Sequence, residues 1–190
     1  KSNRKTTWSK IQVMKKTLIH FLYEQGIEHR LPHVYLDMDG VLVNLEKGAY
    51  EVHNAPLGDV PKPERWDKIN AIKDFWKNLE WMPGAKKMWD FLKPYSPSIM
   101  SAWTKHDPNS AGGKADWLKS HVGKLPRNRV NLVMRADKKR FAKDGRTGAP
   151  NVLVDDHPKN IGEWEANGGI GIHHTSVNKT IAKLKKLGFA

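Results

Sequence analysis

Two carboxylates one residue apart end an apolar run in His33-Val34-Tyr35-Leu36-Asp37-Met38-Asp39-Gly40-Val41-Leu42-Val43. Desolvating a single carboxylate costs several kcal/mol unless it is paired or bound to a metal, so a buried strand does not end in Asp-x-Asp without a demand for it. The pattern returns downstream in Asn151-Val152-Leu153-Val154-Asp155-Asp156. Two apolar strands tipped by acids fit a parallel sheet that gathers its carboxylates in one crevice. At an effective dielectric of about 20, two such charges ~4 Å apart repel by ~4 kcal/mol. Four together imply a cation, and an all-oxygen ligand set points to Mg²⁺.

Three further blocks accompany these acids. Pro97-Ser98-Ile99-Met100-Ser101 is an apolar stretch ending in a hydroxyl, and Arg135-Ala136-Asp137-Lys138-Lys139-Arg140-Phe141-Ala142 carries lysines ahead of the late Asp-Asp. Phe75-Trp76-Lys77-Asn78-Leu79-Glu80-Trp81-Met82-Pro83-Gly84-Ala85 sets an aromatic pair before a Pro-Gly-Ala helix start. With Asp37-Met38-Asp39-Gly40-Val41-Leu42 and Val152-Leu153-Val154-Asp155-Asp156-His157-Pro158-Lys159-Asn160, they make the sequence from Val34 onward resemble the haloacid dehalogenase-like (HAD) phosphohydrolases. Within that superfamily the likeness is to the 5′-deoxyribonucleotidase branch, which includes phage and bacterial members.

The resemblance implies a Rossmann-like α/β fold, with a central parallel sheet flanked by helices and a small helical cap inserted at about 44–95. It also implies a Mg²⁺-dependent phosphomonoesterase acting through an aspartyl-phosphate, most closely a 5′-(deoxy)nucleotidase. Asp37 is then the nucleophile and Asp39 the acid and base, with Asp37, Asp39, Asp155 and Asp156 around the metal. Ser101, Lys138 and Lys114 are the expected phosphate-binding groups, with Lys139 the alternative to Lys138. Leu45 stands where the branch often has an aromatic against the base. Trp66, Phe75, Trp76, Trp81 and Trp103 remain as stacking surfaces, and Phe75, Trp76 and Trp81 of the cap are the expected substrate contacts. Ser101 is followed by Ala102-Trp103 rather than by a second small hydroxyl, a departure in the pattern of phosphate contacts.

These groups need a scaffold, and the chain of 190 residues suits one domain with a sizeable core. Alternating apolar and helical segments predict strands near 96–101, 129–134, 151–155 and 169–173. Helices are predicted near 112–122, 159–167 and 177–187. Ile69 to Leu79 reads as a helix, and Pro83 as the first turn of another through Lys93. Trp8, Ile11, Met14, Lys15, Leu18, Phe21 and Leu22 recur at helical spacing, so residues 1–30 read as a separate basic amphipathic helix.

The chain has no cysteine, which excludes disulfide and thiolate sites. No apolar run approaches ~18 residues, so no membrane span is expected. A cytoplasmic location follows, the host cytoplasm for a phage-encoded member. His106, His157, His173 and His174 lack zinc-ligand spacing, and Gly112-Gly113 and Gly168-Gly169 lack the Lys-Thr ending of a P-loop. The net charge of +13 is concentrated: residues 1–16 hold six Lys/Arg and no acid, and residues 124–148 hold nine against two acids. That asymmetry favours anionic partners. A nucleotide is the expected substrate. The alternatives are a phosphatase for phosphorylated DNA or RNA ends, and a nucleic-acid-binding protein on an inactive scaffold. A homodimer is left open.

Overall fold

The computed structural model describes residues 31–190, and the amphipathic helix expected over 1–30 lies outside the described residues. From Pro32 the chain forms one compact unit around five parallel strands. These are β1 (Val34–Leu36), β2 (Ser98–Ala102), β3 (Val130–Val133), β4 (Val152–Asp155) and β5 (Ile170–His173), in the order β3-β2-β1-β4-β5. In the central strand, Leu36 stands opposite Ile99 of β2 on one side and Val154 of β4 on the other. Leu36, Ile99, Val152, Leu153 and Val154 are all fully buried. Strands covered on both faces read as unbroken apolar runs, and this explains the composition of 151–155.

Six α-helices accompany the sheet among the described residues: α1 (Leu45–His53), α2 (Lys62–Asn70), α3 (Ala85–Leu92), α4 (Asn109–His121), α5 (Pro158–Ala166) and α6 (Val177–Lys186). Local sequence sets several of their ends. His157 and Ser176 accept hydrogen bonds from the Lys159 and Lys179 amides at the starts of α5 and α6, and Pro158 opens α5 where its missing N–H costs nothing. Trp164 of α5 packs edge-on against Tyr35 at 5.6 Å and donates its indole N–H to the Asn151 carbonyl, so helix and sheet are joined by apolar and polar contacts together.

Two expectations about 69–95 are corrected. Ile69–Leu79 is not one helix: α2 ends at Asn70, Asp74 takes a left-handed φ of 59°, and only a 3₁₀ turn, Trp76–Asn78, follows. Tertiary contacts outweigh the helical spacing here. The Trp76 indole donates to Asp107 at 2.5 Å, Trp117 donates to the Leu79 carbonyl at 2.7 Å, and a Cβ on Gly113 of α4 would lie 2.5 Å from that of Trp76. A continuous helix could not bring residues 76–79 so close to α4. Pro83, for its part, lies before the helix and not in its first turn. The Met82 amide is committed to the Leu42 carbonyl, and Gly84, at φ 76°, turns the chain into α3. Ala85, Met88 and Leu92 of α3 are fully buried, and the helix packs against α6.

Candidate active site

The order β3-β2-β1-β4-β5 has its switch point between β1 and β4, where connections leave in opposite directions and open a crevice at the carboxyl ends. Both acidic motifs end there. Asp37 continues the β1 ladder by donating its amide to the Val154 carbonyl at 2.9 Å, and Asp155 is the last residue of β4. Beyond Asp37 the chain folds into a tight turn, in which the Met38 carbonyl accepts from the amides of Val41, Leu42 and Val43. Met38, Val41, Leu42 and Val43 are buried, so the apolar residues flanking the motif anchor the turn. Gly40 is required twice over. Its φ is 71°, and a Cβ there would lie 2.1 Å from Asp156 Oδ2.

Lys138 binds the two strand ends together. Its Nζ lies 2.8 Å from Asp37 Oδ2 and 2.8 Å from Asp155 Oδ2. Burial alone would lower this ammonium, but the Asp37 and Asp155 carboxylates outweigh it and hold Lys138 above the usual lysine range. Lys139, the other candidate, is exposed. Asp155 is fully buried; burial and the charge of Asp37 push its carboxyl up against the pull of Lys138. Its oxygens also accept from the His157 amide and, at 3.0 Å each, from Asn160 Nδ2.

A second lysine serves the other half of the first motif. The buried Lys114 of α4 donates to Asp39 Oδ2, to Ser101 Oγ at 3.0 Å and to the Ala102 carbonyl at 2.7 Å. Its ammonium lies 4.9 Å from the centroid of the Trp76 ring. Burial pushes the Asp39 carboxyl up in spite of Lys114, and Asp39 Oδ1 is shielded from solvent without a hydrogen-bond partner among the described residues.

Oxygens of Asp37, Asp155 and Asp156 lie within 4.8 Å of one another, a group that could hold a metal ion. Partial desolvation at the crevice and the charges of Asp37 and Asp155 push the Asp156 carboxyl up to about 6, although the residue keeps an exposed side. Asp39 is not in this group. The structure brings three of the four expected metal ligands together and turns the fourth side chain to Lys114.

Above these residues is a cleft of about 510 Å³, lined by Asp37, Asp39, Lys138, Asp156, Arg135 and Asn160 among others. Ser101 and Lys114 lie behind its wall and do not line it, although both were expected at the phosphate. The expected cap aromatics are also elsewhere. Phe75 and Trp76 are buried, Trp76 being committed to Asp107 and Lys114, and Trp81 packs on Trp117 at 4.8 Å. Leu45 and Met82 line the cleft in their place. A hydrophobic insertion must bury its largest rings to hold together, and these rings serve that need.

Sequence reading passed over Asn160 and Arg135. Asn160 holds both oxygens of Asp155, and its own Oδ1 accepts from Arg135 Nη1 at 3.1 Å. Glu163 fixes the same guanidinium at 3.0 and 3.2 Å. The available signal was position alone: Asn160 one helical turn into α5, and Arg135 three residues before Lys138.

No protein-family model and no curated protein matches the sequence. Among solved structures, the chain is similar to a hydrolase from Streptococcus pneumoniae TIGR4, at 10% identity and a TM-score of 0.53 over 82% of this chain and 100% of that one. It is also similar to a hydrolase from Pseudomonas syringae, at 17% identity and a TM-score of 0.48 over 84% and 91% of the two chains. The first likeness is one of fold. With the sheet order it establishes the Rossmann-like α/β architecture expected from the motifs, a central parallel sheet flanked by helices.

Proposed function

We propose that this chain is a Mg²⁺-dependent phosphomonoesterase that hydrolyses nucleoside 5′-monophosphates, deoxynucleotides foremost, through an aspartyl-phosphate on Asp37. The observation that carries this reading is the Asp37 carboxylate at the tip of β1, sharing Lys138 with Asp155 and opening onto the cleft. The residues fit the metal. The three carboxylates Asp37, Asp155 and Asp156 face one ammonium group, Lys138, and the surplus of two negative charges matches a divalent cation. Hard oxygen donors select Mg²⁺ over softer metals. Asp37, Asp155 and Asp156 would hold it, where it offsets the repulsion between an anionic nucleophile and an anionic phosphate.

The protein groups divide the remaining work. Asp37 Oδ attacks phosphorus, and the bond from phosphorus to the ester oxygen breaks as the acyl-phosphate bond forms. Asp39, two residues on and inside the same cleft, gives its proton to the departing alkoxide. It then takes a proton from the water that attacks the aspartyl-phosphate, releasing inorganic phosphate and restoring Asp37. Lys138 steadies Asp37 for attack, and Lys114 orients Asp39 and Ser101. Nucleotides as the substrate rest on the motif resemblance and on a cleft volume within the range of small-ligand sites.

A second reading, hydrolysis at phosphorylated DNA or RNA ends, is favoured by one observation. Arg135 and Lys138 of the cleft belong to the 124–148 segment, with its nine Lys/Arg against two acids. A panel of nucleotides and end-phosphorylated oligonucleotides, assayed with and without Mg²⁺, tests both. Mononucleotides are expected to give the higher kcat/KM with shallow salt dependence. If oligonucleotides win, and their advantage falls ~10³-fold from low to moderate salt, the second reading replaces the first.

Removing divalent metal with a chelator is expected to abolish turnover, and excess Ca²⁺ to inhibit, because its looser coordination misplaces the Asp37 oxygens. Full activity after verified metal removal overturns the metal assignment. Gly40→Ala forces Asp156 aside, and its Mg²⁺ affinity by calorimetry is expected to fall about ten- to hundredfold. An unchanged affinity would show that Asp156 does not contribute to the metal site.

A further inference from the structure

A second groove of about 510 Å³ lies at the carboxyl ends of β2 and β3, lined by Trp103, Val133, Met134, Asp137, Arg140 and Phe141. Its position is set by the chain itself. At three places, consecutive residues face the two spaces: Ala102 the cleft and Trp103 the groove, Arg135 the cleft and Met134 the groove, Lys138 the cleft and Asp137 the groove. The two spaces therefore share one wall, one residue thick. The Trp103 amide donates to the Val133 carbonyl at 3.1 Å, so that wall is an extension of the β2–β3 ladder.

Met134 is 39% exposed, in a unit whose large apolar side chains are otherwise mostly covered. Trp103 is half-buried, and no other aromatic ring packs on it among the described residues. Phe141 lies on the core side, edge-on to Tyr35 at 5.9 Å. At the rim, Arg140 and Asp137 place a guanidinium and a carboxylate 3.7 Å apart, so donors and an acceptor border the apolar faces. A flat ring with polar edges, joined to a phosphate held next door, fits that chemistry. The cap rings do not offer the same surface, because Phe75 and Trp76 are buried and Trp81 packs on Trp117 and His121.

We infer that this groove is the nucleobase subsite, with Trp103 as its stacking platform and a free nucleoside monophosphate as its occupant. The inference rests on the phosphomonoesterase reading for the position of the phosphate. It gives specificity to the β2–β3 wall of the main domain and not to the insertion. Arg140 and Asp137 are then the groups that meet the edges of the base.

The experiment measures Mg²⁺-supported binding by calorimetry to the full chain carrying Asp37→Asn, which stops turnover. The ligands are a nucleoside 5′-monophosphate, ribose 5-phosphate, which lacks the base, and a 5′-phosphorylated oligonucleotide. Adding Trp103→Ala is expected to weaken the mononucleotide about ten- to hundredfold, the scale of losing one stacked base, and ribose 5-phosphate by less than about twofold. Trp103→Phe should keep most of the affinity. Equal losses for both small ligands, or none for the nucleotide, overturn the subsite. An oligonucleotide that binds more than about tenfold tighter, with an advantage that salt removes, overturns the free nucleotide as occupant. Base-dependent binding through Trp103, with no phosphomonoester hydrolysed by the chain that keeps Asp37, sinks the hydrolase reading and keeps the subsite. Hydrolysis of nucleotides at an unchanged kcat/KM in Trp103→Ala does the reverse.

Discussion

Asp37→Asn is expected to lower phosphomonoesterase turnover by about a thousandfold or more while the chain folds as before. The amide is nearly isosteric with the carboxylate, and its oxygen can still accept from the Met38 amide at 2.8 Å. What it loses is the anionic oxygen that must bond to phosphorus. Matched circular dichroism and melting curves, set beside a single-turnover assay, separate lost chemistry from lost structure. Asp39→Asn is expected to differ in kind, because slow phosphorylation of Asp37 can proceed while protonation of the leaving group and activation of water both suffer. More than about a tenth of wild-type turnover in Asp37→Asn would remove this residue from the nucleophile's role.

The second large effect is on stability. Lys138 is 2% exposed and is the ammonium between Asp37 and Asp155. Truncating one partner of a buried ion pair costs ~3–5 kcal/mol, because the other charge stays buried without compensation. Whole domains are stable by only ~5–15 kcal/mol, so Lys138→Ala is expected to lose a large share of its stability in chelator. Mg²⁺ should restore more stability to this variant than it adds to the wild type, since a bound cation meets the same two carboxylates. Denaturant titrations with and without Mg²⁺ measure both effects. Lys139→Ala, at an exposed position, is the control and should stay within about 0.5 kcal/mol. Equal losses at the two lysines would mean that the Lys138 ion pairs contribute nothing to the fold.

Most of the candidate site was legible in the sequence because the features that reveal it are local. Asp37, Asp39, Asp155 and Asp156 stand out because acids at the ends of apolar strands are costly. The parallel sheet followed from the alternation of strands and helices, and Ser101 from its place at the end of β2. Where local spacing and distant packing competed, local spacing misled. Ile69–Leu79 has helical periodicity, yet Trp76 and Leu79 satisfy contacts from Asp107 and Trp117 that a helix would break.

Pairing lay beyond the sequence. Lys138 and Lys139 are neighbours of one chemical type, and only the fold shows that one is buried between two carboxylates while the other faces water. Asp39 and Asp156 look equivalent as metal ligands along the chain, but α4 carries Lys114 to Asp39 and leaves Asp156 with Asp37 and Asp155. Asn160, Arg135 and the face of Trp103 become functional candidates only by what stands opposite them. Which groups the chain offers for chemistry can be read along it, because residue type and the cost of burying charge are properties of short segments. Which acid meets which lysine, and which ring lies free beside the cleft, is a matter of tertiary packing. Those contacts join residues up to 101 positions apart in the chain, as Asp37 and Lys138 are, and close packing alone sets the distances between them.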